Sequence, residues 1–332
     1  MLEHGGALRA AAARYGIPLS DWLDVSTGIH PQGWPVPPVP AIAWQRLPER
    51  GDGLEAAAAA YYGTPHLLPV AGSQAAIQAL PLLREPGRTG ILHPSYAEHA
   101  HAWRRAGHAI ETLTVTELET AVDRLDVLVA VNPNNPTGLR FAPEILLRWR
   151  ERLAQRGGWL VVDEAFMDAT PDDSLTGHIG LPGLIILRSL GKFFGLAGAR
   201  VGFVLAESAV RERLQDALGP WTVSAPARWV ATQALSDRRW QEEMRSQLPL
   251  LGTRLAELLK RQRLPVTGGT ALFQWIPLPE AEFWQEALAR RGILVRRFIN
   301  PPGLRFGLPD SELAWRRLEG ALTGVRAERL TQ

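Results

Sequence analysis

The chain has 332 residues, with 36 Lys and Arg against 34 Asp and Glu, a formal charge of +2 with the histidines neutral, and no cysteine. That length exceeds one ordinary core and points to a large domain with a smaller companion. The near balance of charge gives no electrostatic footprint for nucleic acid and suits small acidic substrates, and the lack of cysteine excludes a disulfide scaffold and thiolate metal sites. The start, Met1-Leu-Glu-His-Gly-Gly, lacks the basic and apolar run of a signal peptide, and no uncharged apolar run approaches a membrane span, so the expected location is the cytoplasm.

The Ala-rich stretches 10–13 and 56–60 each fall within a plausible helix, Ala being the best helix former. Residues 31–40, Pro-Gln-Gly-Trp-Pro-Val-Pro-Pro-Val-Pro, hold too many prolines for a helix and read as an extended connector between domains. From about Gly53 to Ala206, apolar β-type runs alternate with helical segments, the pattern of an α/β fold with a mostly parallel sheet covered on both faces. Strands are expected at 90–93, 127–131, 159–162, 184–187 and 201–205, and the polar residues after them place a ligand site at the strand carboxyl ends. After Gly219-Pro220, Arg/Glu/Leu-rich helices precede β-like runs at 271–276 and 293–297, which suggests a second, α+β domain. The expected division is a large domain over 41–215 and a small one from 1–40 with 216–332.

Only two lysines occur, Lys192 and Lys260. Arginine stays protonated and cannot act as an amine nucleophile, whereas a lysine can form an imine once its pKa is lowered. Lys260, in Leu255-Ala-Glu-Leu-Leu-Lys-Arg-Gln, reads as part of a solvated helix face. Lys192 follows a strand, in Arg188-Ser-Leu-Gly-Lys-Phe-Phe-Gly-Leu-Ala-Gly-Ala-Arg200. A phosphate bound by Ser189 and Arg200, with Lys192 reaching an aldehyde of the same molecule, explains those residue types together; a Gly-rich loop with an exposed lysine explains them too. No G-x-x-x-x-G-K-[ST] phosphate loop is present.

Further motifs stand at the other strand ends. Asn132-Pro-Asn-Asn-Pro-Thr-Gly138 follows one strand and Asp163-Glu-Ala-Phe another. An Asp there can pair with a protonated pyridine nitrogen, and Asn135 can donate to a phenolic oxygen, although turns favour Asn-Pro everywhere. Gly72-Ser-Gln-Ala-Ala-Ile opens a helix whose first N–H groups, with the Ser73 hydroxyl, can bind a phosphate; Ser73 as a plain helix cap is the simpler explanation. Tyr96 can stack on a pyridine ring or serve as a core aromatic. His93, His99, His101 and His108 lie close in sequence, but His99 and His101 are two apart and share no helix face, so these histidines are read as solvated or core, with no metal site.

This ordered set, spread over nearly the whole chain, resembles the fold-type-I pyridoxal 5'-phosphate (PLP) enzymes of the aspartate aminotransferase superfamily. The resemblance implies Lys192 as the Schiff-base lysine, Asp163 on the pyridine nitrogen, Asn135 on the ring oxygen, Tyr96 as the stacking residue, and Ser73, Gln74, Ser189 and Arg200 around the cofactor phosphate. It also implies a large PLP-binding domain and a homodimer with shared active sites. Within the superfamily, His4-Gly-Gly, Asp24-Val-Ser-Thr-Gly-Ile-His-Pro-Gln-Gly33 and Pro220-Trp-Thr-Val-Ser resemble the L-threonine O-3-phosphate decarboxylases of cobalamin biosynthesis, close kin of the histidinol-phosphate aminotransferases. That implies substrate contacts at His4, Gly5, Gly6, Gly28, Trp221 and Arg305, the last gripping a carboxylate.

Some positions depart from these patterns: Phe166 replaces a tyrosine, Leu47-Pro-Glu replaces Tyr-Pro-Asp, Gly28 an asparagine, and Pro309 a second arginine. Decarboxylation and transamination differ in which Cα bond stands perpendicular to the cofactor plane, so an arginine alone does not choose between them. A histidinol-phosphate-type aminotransferase and a non-catalytic regulatory module remain as alternatives.

Overall fold

A computed structural model describes residues 2–330. By its contacts the chain divides into two compact units, one of residues 34–135 and 139–245, the other of residues up to 33, residues 136–138 and residues from 246 on. The connector from residue 34 and residues 216–245 thus fall in the first unit, because the helix Ala225–Ser236 packs on the helix Leu54–Tyr62 there.

After the short β1 (Leu23–Asp24) of the second unit, the first unit contributes β2 (Leu67–Val70), β3 (Arg88–Leu92), β4 (Ala109–Leu113), β5 (Val127–Val131), β6 (Trp159–Asp163), β7 (Leu184–Ser189) and β8 (Gly202–Leu205). They form one sheet in the order β2-β8-β7-β6-β5-β3-β4. Only β8 runs against its neighbours; β7, β6, β5, β3 and β4 pair in parallel. Every residue of β5 and β6 is buried, which explains the apolar runs Val127–Val131 and 159–162: a strand covered on both faces has no polar side to show, and β6 turns polar only at its last residue, Asp163. One face carries Val129, Val161 and Leu187 against Ile77, Trp103 and Leu214 of covering helices. The helix Pro143–Ala154, with Leu146, Trp149 and Leu153 buried, also packs on β6. Each large apolar side chain so buried contributes about 1.5–3 kcal/mol.

The second unit holds β9 (Gly268–Thr270), β10 (Phe273–Pro277), β11 (Ile293–Leu294), β12 (Arg296–Ile299) and β13 (Pro302–Gly307). An antiparallel sheet runs β12-β13-β10-β9, while β1 pairs with β11 in parallel. The single strand expected over 293–297 is therefore two, one serving each sheet. β13 places Arg305 opposite both Trp275 and Arg296. No helix among the described residues is long and apolar enough to cross a membrane.

Candidate active site

Every residue expected to hold a cofactor lines one cavity of the first unit: Ser73, Gln74, Tyr96, Asn135, Asp163, Ser189, Lys192 and Arg200, with Val131, Ala165 and Phe166. Topology does this. Asp163 ends β6 and Ser189 ends β7, Asn135 lies in the turn after β5, Tyr96 precedes the helix after β3, and Ser73 opens the helix after β2. Parallel strands deliver these carboxyl ends to one edge of the sheet.

Ser73, Ser189 and Arg200 gather on the β8 side. Gly202 is opposite Ser189 in register, and a Cβ on Gly202 would come within 2.6 Å of the Ser73 nitrogen. Gly72, at φ +72°, stands where a Cβ would meet Arg200 Nη2 at 2.6 Å, so only glycine allows both that backbone and the guanidinium beside it. Arg200 itself takes a left-handed φ of 54°. The Lys192 Nζ lies 5.7 Å from the centroid of the Phe166 ring.

Asp163 is buried, and both of its oxygens are partnered. His99 Nε2 stands 2.9 Å from Oδ2, and the Ala165 N–H donates to Oδ1 at 3.0 Å. With Nε2 protonated the imidazole donates to the carboxylate, which fixes the tautomer. His99 is thus a core histidine with a task that sequence reasoning missed; its ring also meets that of Tyr96 edge-on at 6.1 Å. Gln74 is held by Glu98 at 2.8 Å and accepts from the Tyr96 hydroxyl at 3.3 Å. In the Asn-Pro turn, Asn132 bonds both backbone groups of Phe141 and Asn134 donates to the Pro94 carbonyl, leaving Asn135 to line the cavity.

Behind the strand ends lies a buried ionic layer. Arg188, the last residue but one of β7, reaches the loop after β6, donating to Glu164 at 2.7 Å and to Asp168. Burial works against the Arg188 charge, but Asp168 and Glu164 outweigh it and push its pKa further up; burial also pushes the Glu164 carboxyl up, against the pull of Arg188. The layer joins Glu164, the residue after Asp163, to Arg188, the residue before Ser189.

Of the expected substrate residues, Trp221 belongs to the first unit; it is 60% exposed, has φ 59°, and does not line this cavity. His4, Gly5, Gly6, Gly28 and Arg305 belong to the second unit. Arg305 is buried, its guanidinium 5.2 Å above the Phe273 ring, and it donates to the Ser26 carbonyl at 2.8 Å. Gly28 is buried, and His4 is exposed on the wall of a second cavity.

An amine-bearing cavity at the carboxyl edge of a mostly parallel sheet is the architecture of the aminotransferase-like enzymes. The profile of the family "aminotransferase class I and II" matches residues 49–314, and the chain belongs to that family. It is 57% identical over 326 residues to the threonine-phosphate decarboxylase of Pseudomonas aeruginosa, covering 98% of each chain. It is 43% identical over 331 residues to the threonine-phosphate decarboxylase of a Sinorhizobium species, covering 97% of each. The fold is shared with the histidinol-phosphate aminotransferase of Sinorhizobium meliloti, solved in complex with pyridoxal-5'-phosphate, at a TM-score of 0.83 and 20% identity over 98% of this chain and 96% of that one.

Proposed function

We propose that this chain binds PLP at Lys192 and decarboxylates L-threonine O-3-phosphate to (R)-1-amino-2-propanol O-2-phosphate, a step of cobalamin biosynthesis, as a cytoplasmic homodimer. One observation carries the reaction: 57% identity, over 98% of the chain, to a threonine-phosphate decarboxylase. The cavity's donor set supports the cofactor. Hydroxyls of Ser73 and Ser189 and the Arg200 guanidinium, beside the glycine cradle at 72, suit a phosphate; Gln74 adds an amide. Asp163, backed by His99, suits a protonated ring nitrogen, Asn135 the ring oxygen and Tyr96 the ring face.

Bound there, PLP supplies an electron sink for the pair left when a bond to Cα breaks. The protein's own part is to bind, orient and move protons. Arg305 would grip the substrate carboxylate, with His4, Gly5, Gly6, Gly28 and Trp221 as further substrate contacts. Once carbon dioxide has left, the Lys192 Nζ is the acid that returns a proton to Cα. Exposed apolar side chains at Ile42, Trp44 and Leu47 support a second copy as partner.

Incubated with L-threonine O-3-phosphate, the holoenzyme is expected to release carbon dioxide and form aminopropanol phosphate in equal amounts, and Lys192→Ala to lose at least ~10²-fold in rate. Transfer of the amino group to 2-oxoglutarate, with no carbon dioxide, would overturn the reading in favour of an aminotransferase.

A further inference from the structure

We infer that Ser26 is a positioning residue that clamps residues 4–6 to Arg305 and thereby sets how tightly substrate is bound; this rests on the proposed part of that segment and of Arg305 in substrate recognition. Ser26 is 1% exposed. It stands just past β1, where the Val25 carbonyl accepts from the Gly307 N–H at 2.7 Å. Its hydroxyl accepts from the Gly6 N–H at 2.7 Å and donates to Asp24 Oδ1 at 2.6 Å. The same Oδ1 accepts the Ser26 N–H at 2.8 Å. The Ser26 carbonyl in turn accepts from Arg305 Nη2 at 2.8 Å. One small buried residue therefore joins the N-terminal segment, the end of β1 and the central strand β13.

The direction of these bonds is fixed by chemistry. A hydroxyl has one proton, and here Asp24 takes it, so a lone pair faces Gly6 and the neighbouring carboxylate strengthens it as an acceptor. Gly5 completes the fit: a Cβ there would lie 2.4 Å from the Ser26 carbonyl oxygen, so the segment can lie against residue 26 only with glycine in that place. The segment also borders a cavity of about 420 Å³ whose lining includes Leu2, His4, Ala7, Ala11, Ser26 and Arg296. Arg296 holds the outer end of the segment, donating from Nη2 to the Glu3 carbonyl at 2.7 Å and from Nη1 to Glu3 Oε2 at 3.1 Å. The Gly6–Ser26 bond holds its inner end, the end next to Arg305.

The test uses the PLP-loaded enzyme and its Ser26→Ala and Asp24→Asn variants. In Ser26→Ala, hydrogen exchange of the peptide covering residues 4–7 is expected to rise at least ~10-fold, and KM for L-threonine O-3-phosphate to rise roughly 10-fold, with kcat within about twofold and cofactor titration unchanged. Asp24→Asn keeps an acceptor for the Ser26 N–H but drops the charge, and moves both quantities the same way by about threefold. Unchanged exchange, or a fall in kcat at constant KM, in an enzyme that does decarboxylate threonine phosphate overturns the inference alone. A wild-type enzyme that releases no carbon dioxide overturns the substrate reading instead, and raised exchange in Ser26→Ala would then still support the clamp.

Discussion

At Asp163 one imidazole decides how a buried carboxylate is held. His99 Nε2 and the Ala165 N–H take one oxygen each, and His99 is 1% exposed, so no water can replace the ring if it is removed. A hydrogen bond to a charged group contributes about 1.5–3 kcal/mol, and 1.4 kcal/mol is a factor of ten. His99→Leu, close to the histidine in bulk, is therefore expected to weaken PLP binding by roughly 10- to 100-fold, read by titrating cofactor absorbance into the apo chain; an unchanged dissociation constant would remove His99 from the cofactor's support. Lys192 was legible in the sequence because lysine is so scarce here and its loop carries a serine and an arginine at fixed offsets. His99 was not, since its partner lies 64 residues away, and the task of a histidine depends on what stands opposite its helix face. Ser26 was hidden for the same reason: its bonds come from residues 6, 24 and 305, a set that local pattern cannot assemble.

The turn over residues 30–33 is an element held by a neutral imidazole. Gly33 donates its N–H to His30 Nδ1 at 2.6 Å, and His30 is 5% exposed. Burial pushes its pKa down to about 4 from an ordinary 6.5. A depressed histidine pKa stabilises the fold above the unfolded-state value, and that contribution is lost as pH falls from about 6.5 through about 4, because the unfolded chain takes up the proton first. Between pH 7.5 and pH 4.5 this group alone is expected to remove roughly 2–3 kcal/mol from the urea-unfolding free energy, and His30→Gln to show a correspondingly smaller loss; equal losses in the two proteins would refute it. Strands were legible in proportion to their burial. β5, β6 and β7, buried at every position, were found almost to the residue, whereas β4 is a half-exposed edge strand whose Ala-Ile-Glu-Thr-Leu carries no clean period. β13 begins at Pro302 just after Pro301, a pair that reads as a break, and only its pairing with β10 and β12 makes it a strand.

For the whole molecule the question left by the single chain is what covers its apolar surface. Trp44 is 70% exposed, Leu47 63% and Ile42 57%, all within a few residues of one another in the first unit. Single exposed apolar residues are ordinary, but three of this size in a short stretch are the kind of surface at which the homodimer proposed above would have its contact. Burying each such side chain contributes about 2 kcal/mol, so placing a charge at two of them removes that gain and adds a desolvation cost. The double variant Trp44→Asp/Leu47→Asp is therefore expected to raise the dimer dissociation constant by roughly a thousandfold or more. Sedimentation velocity at micromolar concentration should find the wild-type chain at twice its monomer mass and the variant at one. A wild-type monomer, or a variant that sediments as a dimer, would mean that this surface is not where two chains meet.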